Sequence, residues 1–284
     1  MPPPSHAAGP VRALAMSSHP GPTLVVTALS VILGVSAGLD AGRLALLAVA
    51  VLAGQLSVGW SNDAMDARRD TAVGRTDKPI ARGEVSARTV WIAAAVSVAA
   101  ALALSAPLGA GMLVAHAVAL ASAWSYNLVL KRTAISVVPF IVSFGLFPSL
   151  ATLSLPAPAL AAPWASVAGA ALGVAVHLTN VLPDLDDDAA TGVRGLPHRL
   201  GATASAVIAF AAVEAGALAV LLGPVIAGAP VAVAGAVGFA LVTALAGVGL
   251  VRALRGADRT VFRLVMAAAL LLALQLAATG VSVA

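Results

Sequence analysis

Nine of the twelve acidic residues lie in two short stretches, Asp63, Asp66, Asp70, Asp77 and Glu84 in one and Asp184, Asp186, Asp187 and Asp188 in the other. One spacing recurs in both. Asn62, Asp66 and Asp70, and again Asn180, Asp184 and Asp188, read N-x-x-x-D-x-x-x-D. Steps of four on a helix set side chains on one face, roughly 6 Å apart per turn, so each motif predicts a ladder of oxygen ligands. Like charges at that spacing repel, and a helix keeps them where they share a cation. Hard oxygen ligands suit Mg2+, which takes one or two carboxylates together with water and phosphate oxygens. Asn180 follows Asn62 by 118 residues. The repeat suggests two equivalent four-helix halves whose ladders face each other across a central cavity, although a chain so rich in Ala and Val can show such symmetry by chance.

The stretch from Asp184 carries acids at positions 1, 3 and 5 of a calcium loop, but has Ala189 where that loop needs glycine and Gly195 where it needs glutamate, which excludes an EF-hand. Asp77 and Glu84 read as solvated surface charges. Arg75, Lys78 and Lys131 lie beside the ladders or at a span end and could hold phosphate oxygens, or could be positive-inside anchors. Arg82, Arg88 and the cluster Arg252, Arg255, Arg259 and Arg263 read as anchors. Tyr126, the single tyrosine, could serve a site or an interfacial belt. His116 and His177 lie in apolar spans and read as packing or cavity-lining groups, and His198 as a loop histidine.

The elements that must position these groups are membrane helices. Sixty per cent of the 284 residues are hydrophobic, 10% are charged and the mean hydropathy is +1.00, too few polar side chains to cover a water-soluble globule. On the ruler of about 20 apolar residues per span, nine segments are predicted, near 22–39, 43–61, 88–108, 110–129, 135–154, 163–183, 203–222, 230–250 and 260–280. Residues 1–21, with four prolines before position 11, read as a disordered or surface-lying tail, leaving 22–284 as one transmembrane domain. Gly34 and Gly38 form a G-x-x-x-G in the first span. Of the 16 Lys and Arg residues, 14 fall in even-numbered loops, Arg12 lies in the tail, and Arg43 alone falls on the other side. The positive-inside rule then predicts a cytoplasmic N-terminus, cytoplasmic site loops and an external C-terminus. The absence of cysteine excludes disulfides and thiol chemistry. Basic residues confined to short loops argue against nucleic acid as a partner despite a pI near 10.6, and for anionic headgroups or an anionic substrate.

At these residues the chain resembles the UbiA superfamily of intramembrane prenyltransferases, whose members carry N-D-x-x-D-x-x-x-D after the second helix and D-x-x-x-D after the sixth. Here the first reads from Asn62-Asp63 through Asp66 to Asp70, and the second Asp184 to Asp188. Arg75-Thr76-Asp77-Lys78-Pro79 is similar to the family's R-T-x-R/K-P stretch, and Tyr126 with Lys131 to its tyrosine-lysine pair after helix four. Where many relatives have threonine before a Leu-Pro, this chain has Gly195 preceded by Arg194.

The resemblance implies an all-α fold of nine transmembrane helices around a central cavity. It implies two Mg2+ ions held by Asn62, Asp66, Asp70, Asp184 and Asp188, and a prenyl diphosphate bound by Arg75, Lys78, Tyr126, Lys131 and Asn180. The prenyl group passes to a lipophilic or aromatic acceptor. Asp66 and Asp184 are expected to be essential, with Asp63 or Asp66 taking the released proton. Two rival expectations remain: a cyclase of the same superfamily, which closes the prenyl chain on itself without an acceptor, and, more remotely, an ion or metabolite carrier. Carrier acids usually lie near the bilayer midplane, whereas these lie at span ends.

Overall fold

The computed structural model describes residues 9–190, 192–230 and 232–279, and among these every regular element is a helix. The order is α1 (Pro10–Met16), α2 (Pro20–Ala37), α3 (Ala41–Ala72), α4 (Ala87–Ser105), α5 (Ala110–Leu128), α6 (Val138–Thr152), α7 (Pro163–Val181), α8 (Leu185–Ala190), α9 (Leu196–Leu200), α10 (Ala202–Ile226), α11 (Val233–Arg255) and α12 (Arg259–Thr279). Single 3-10 turns follow α4, α5 and α7. Each of the nine apolar stretches predicted above coincides with one of these helices. Seven of them, α2, α3, α4, α7, α10, α11 and α12, are long and apolar enough to cross a bilayer; α5 and the 15-residue α6 fall outside that set. The chain is an integral membrane protein.

Neighbours in sequence are neighbours in space from α2 through α7 and on through α10, α11 and α12, and α12 returns to pack on α2, closing a ring. The bundle interior is a continuous core that includes Leu47, Met112, Leu178, Val213 and Val265. Lipid-facing positions such as Leu24, Val96, Val114 and Val248 are exposed and apolar, as a helix bundle in hydrocarbon requires.

Helix α3 sets the geometry of the site. Its start is fixed by Asp40, whose carboxylate accepts from the backbone N–H groups of Gly42 and Arg43 at 2.9 and 3.0 Å. Thirty-two residues span about 48 Å at the helical rise, against a hydrocarbon core of about 30 Å, so the last turns carry Asn62 to Asp70 to the end of the bundle as a rigid rod. The ladder at the end of α7 is built differently. Asn180 is the penultimate residue of α7, Asp184 ends a 3-10 turn over Leu182–Asp184, and Asp188 lies on α8. Pro183 has no N–H for a helical bond and its ring disfavours a continued α-helix, so the expected uninterrupted ladder is broken into three pieces.

Two further details concern the segment before α2 and the glycines of α2. Residues 9–19, read as part of a tail, form α1 and a turn packed on α3, with Ala13, Ser17 and Ser18 buried; residues 1–8 lie outside the described residues. Gly38 serves no helix contact: at φ 82 it caps the C-terminus of α2, while Gly34 receives the Leu44 side chain. The close helix approach occurs at Gly169 and Gly173 of α7, where an added Cβ would stand 2.2 Å from the Phe144 carbonyl oxygen and 2.4 Å from that of Phe140 on α6.

Gly173→Ala is therefore expected to force α6 and α7 apart and to cost about 1–3 kcal/mol of stability. Gly247→Ala on α11, whose added methyl meets open space, is the control. Thermal unfolding in detergent should show a lower midpoint for the first variant alone, and equal midpoints would refute the close approach.

Candidate active site

One cavity of about 740 Å3 collects the chemistry at the end of the bundle. Asn62, Asp63 and Asp66 line it from α3, Tyr126 and Lys131 from the end of α5, Asn180, Asp184 and Asp188 from the α7–α8 region, and Arg75 and Lys78 from the connection after α3. Helices α2 and α12 supply the apolar lining of Val25, Phe262, Met266 and Leu270, and α12 also brings Arg259 and Arg263 to the cavity. Asp70 stands behind this lining, buried, and reaches the site through Arg69. The two acidic motifs thus meet at one place.

Arg69 links them. Its guanidinium lies 3.2 Å from Asp66 and 3.5 Å from Asp70 on its own helix, and 3.3 Å from Asp188 across the cavity. Asp66 also accepts from the buried ammonium of Lys131. Arg75 forms a two-pronged pair with Asp77, at 2.8 and 3.0 Å, and faces Asp184 at 3.6 Å. Lys78 donates to Asp63 at 2.5 Å, and His19 contacts the same carboxylate oxygen at 2.9 Å. Asn62 donates to Asn127 at 3.2 Å, and Asn127 is in turn anchored on the Val58 carbonyl and the Ser61 hydroxyl. Every carboxylate of the first motif therefore has a cation against it, the condition for keeping charge in a buried place.

Outside the spans, the local fields follow these contacts. The Arg75 hydrogen bonds, aided by Arg259, hold the Asp77 carboxyl well below the ordinary carboxylate range, and the same pair raises Arg75. Burial pushes the Asp188 carboxyl up to about 6, with Arg69 opposing. Burial lowers Lys131, with Asp66 opposing.

Asp77 is exposed, as the sequence reading has it, and it also joins Arg75 to Arg259 of α12, the latter at 2.9 Å across 182 residues. Glu84 pairs with Arg82 at 2.7 Å. His116 and His177 are packing groups: His116 bonds the Ser105 hydroxyl at 2.8 Å, and His177 bonds Ser136 at 3.0 Å while stacking near Tyr126 and Phe140. Asn180 is exposed and Tyr126 sits edge-on to Phe140. Gly195, the departure from the threonine of many relatives, lies where a Cβ would be 2.6 Å from the Lys131 carbonyl oxygen. A side chain there would push the Lys131 turn out of place. Asp186 and Asp187 have side chains outside the described set.

The sequence does not assign Arg69, His19, Asn127, His198 or Arg259 to the site: Arg259 reads as an anchor and His198 as a loop histidine. Arg69 stands inside the motif, one residue before Asp70. Asn127 adjoins Tyr126. His198 faces Asp188 at 4.0 Å with both ring nitrogens otherwise unpartnered. His19 and Arg259 carry no local sign of the site, since only folding brings them to the cavity.

Among the described residues no three acidic or histidine side chains enclose a point as a metal cage would. Arginine and lysine heads stand between them. The donor set nevertheless fits a hard divalent cation: a single guanidinium reaches Asp66, Asp70 and Asp188 together, so one positive centre is within range of carboxylates from both motifs.

Comparison with solved structures places the fold. A UbiA homolog from Aeropyrum pernix K1, in its apo form, superposes with a TM-score of 0.76 at 18% identity, covering 91% of this chain and 98% of that one. A UbiA homolog from Archaeoglobus fulgidus bound to GPP and Mg2+ gives 0.73 at 14% identity, with 94% and 98% covered. A digeranylgeranylglyceryl phosphate synthase gives 0.70 at 13%, with 95% and 98% covered. No curated protein sequence matches the chain. The model of the UbiA prenyltransferase family matches residues 23–273, nearly the whole of the membrane bundle that carries both acidic motifs, and the chain belongs to that family.

Proposed function

We propose that this chain is a Mg2+-dependent prenyltransferase that takes the prenyl group from a prenyl diphosphate within the membrane and passes it to an acceptor, most suitably an aromatic ring. The observation that carries this reading is the convergence of carboxylates from both motifs on Arg69, in a cavity that also has an apolar lining. A charged head and a hydrocarbon tail each find their own environment there. A solved UbiA homolog described as bound to GPP and Mg2+, and another to DMAPP and Mg2+, support the same ligands for this site.

In this reading Asn62, Asp66, Asp70, Asp184 and Asp188 hold Mg2+. Bound there, the metal would act as a Lewis acid that neutralises the diphosphate and makes it a better leaving group. The chain's own cations do the rest of the binding. Arg75, Lys78 and Lys131 each pair with a carboxylate at the cavity edge, and each can turn to diphosphate oxygens, which carry about three negative charges. Tyr126 and Asn180 line the same space and would contact the substrate head. The apolar wall of Val25, Phe262, Met266 and Leu270 would hold the prenyl chain and keep water from the allylic cation. Helices α5 and α6 would complete nine spans around the cavity, in two related halves. The N-terminus and the site loops would face the cytoplasm, where the basic residues concentrate, with the C-terminus outside. Residues 22–284 would form one catalytic domain.

Purified protein should convert a prenyl diphosphate only with Mg2+ present, and product masses with and without aromatic acceptors separate transfer from cyclisation. Asp66→Ala and Asp184→Ala should each lower turnover by about 10²-fold or more while leaving a folded, monodisperse protein. Near-normal turnover in either variant would defeat the assignment.

Asp188 also makes the metal requirement depend on pH. Its carboxyl is raised to about 6, so the ionised form that can hold a cation dominates above that pH, and protons compete below it. The Mg2+ concentration for half-maximal turnover should rise as pH falls from about 7.5 to 5.5. A requirement flat across that range would exclude Asp188 from the metal set.

A further inference from the structure

The turn joining α1 to α2 delivers a histidine to the cavity. Among the described residues His19 alone of the non-glycine residues has positive φ, at φ 54 and ψ 63, directly before Pro20 at the start of α2. Its neighbours hold it there. Trp60 of α3 donates to the Leu14 carbonyl at 2.8 Å, Thr23 donates to the Ser18 carbonyl at 2.9 Å, and the Ser18 carbonyl oxygen lies 2.2 Å from where a Cβ on Gly59 would be. Only a glycine at 59 lets the turn lie this close to α3. A strained backbone persists where the surrounding structure determines it, and such places cluster at functional sites.

The ring is set against Asp63. His19 Nε2 is 2.9 Å from Asp63 Oδ1, an atom that also accepts from Lys78 at 2.5 Å, and Lys78 Nζ is 3.3 Å from the same ring nitrogen. Asp63 is 2% exposed, whereas the His19 side chain is 40% exposed and lines the cavity. An ionised carboxylate only accepts, so a hydrogen bond from the ring to Asp63 requires the proton on Nε2, in which tautomer Lys78 donates to Asp63 and not to the ring and Nδ1 keeps its lone pair.

Transfer to a neutral acceptor must dispose of one proton. The C1–O bond of the prenyl diphosphate breaks with its electron pair leaving on the diphosphate, the acceptor bonds to C1, and the acceptor gives up a proton. Asp66 is engaged by Lys131 and Arg69, and Asp63 is covered by Lys78 and His19. We infer that His19 is the general base that takes this proton at Nδ1, and that Asp63, behind it, orients the ring and stabilises the imidazolium that forms. The assignment rests on the prenyl-transfer reading, and it moves the proton acceptor from Asp63 or Asp66 to a residue of the α1–α2 turn.

Two variants test it in the full chain. His19→Gly keeps the positive φ and leaves room for free imidazole; His19→Asn tolerates the left-handed backbone but takes no proton. Binding of geranyl diphosphate with Mg2+ should stay within about twofold of wild type in both. Turnover to an aromatic acceptor should fall by about 10²-fold or more, and imidazole should restore about tenfold to His19→Gly and nothing to His19→Asn. Turnover of either variant within about threefold of wild type, loss of diphosphate binding in step with turnover, or no rescue of His19→Gly would each overturn the assignment. Wild-type protein that binds and ionises the diphosphate but prenylates no acceptor would instead sink the transfer reading, and the base with it.

Discussion

A membrane bundle that gathers Asp63, Asp66, Asp70, Asp77, Asp184 and Asp188 at one end must neutralise them, because an isolated charge at a protein interior in contact with hydrocarbon is expensive and an acid ladder repels itself. In this structure the requirement is met by pairing. Arg69 spans Asp66, Asp70 and Asp188, Lys131 bonds Asp66, Lys78 bonds Asp63, and Arg75 stands between Asp77 and Asp184. These pairs cross between elements far apart in sequence, so they determine where the connection after α3, the end of α5 and the α7–α8 region sit relative to one another. Breaking one partner leaves its mate buried and uncompensated, which costs more than the pair itself stabilises. Such a cluster is open to exchange: an arriving divalent cation can replace a guanidinium between carboxylates, and the released guanidinium is then available to an anion.

The apolar frame is shaped to deliver that end. Helix α3 exceeds the hydrocarbon thickness, which carries its ladder out to the cavity without a loop. Close backbone contacts at Gly169 and Gly173 draw α7 onto α6, and Gly59 admits the α1–α2 turn against α3. Small residues act here as spacers, because in lipid the gain from helix association comes from packing and not from expelling water. At the site end the same approach at Gly195 sets the Lys131 turn, and so the ammonium that meets Asp66.

Much of this was legible in the sequence because the chemistry demanded costly residues. Acids are rare in an apolar chain, so Asn62 to Asp70 and Asn180 to Asp188 stand out, and the structure brings the two stretches to one cavity. Helix positions followed from the length of apolar runs, and the structure matches them to within a few residues at most ends, apart from the longer α3. What escaped was contact between distant segments. Nothing in the local pattern around Asp77 or Arg259 indicates that they meet, since 182 residues separate them and each alone looks like a solvated charge. Arg69 was hidden by its own abundance class, because basic residues after a span have a ready explanation in membrane orientation. His19 lay in a stretch whose prolines suggested disorder, yet Pro20 is the residue that starts α2 and fixes the turn before it.

The cavity's two faces have a further consequence for substrate choice. The carboxylates sit on α3, the connection after it and the α7–α8 region, and α12 adds Arg259 and Arg263 to the charged lining, while Val25 of α2 and Phe262, Met266 and Leu270 of α12 supply its apolar part. Helices α2 and α12 are also the pair that closes the ring. On the prenyl-transfer reading, an amphiphile in this cavity would have its head held by charge and its tail directed toward the seam between α2 and α12. Head recognition would then depend on residues held by ion pairs, and the accepted tail on how closely α2 and α12 pack. The two properties would vary separately, because substitutions of Phe262, Met266 or Leu270 change the room for hydrocarbon without touching a carboxylate.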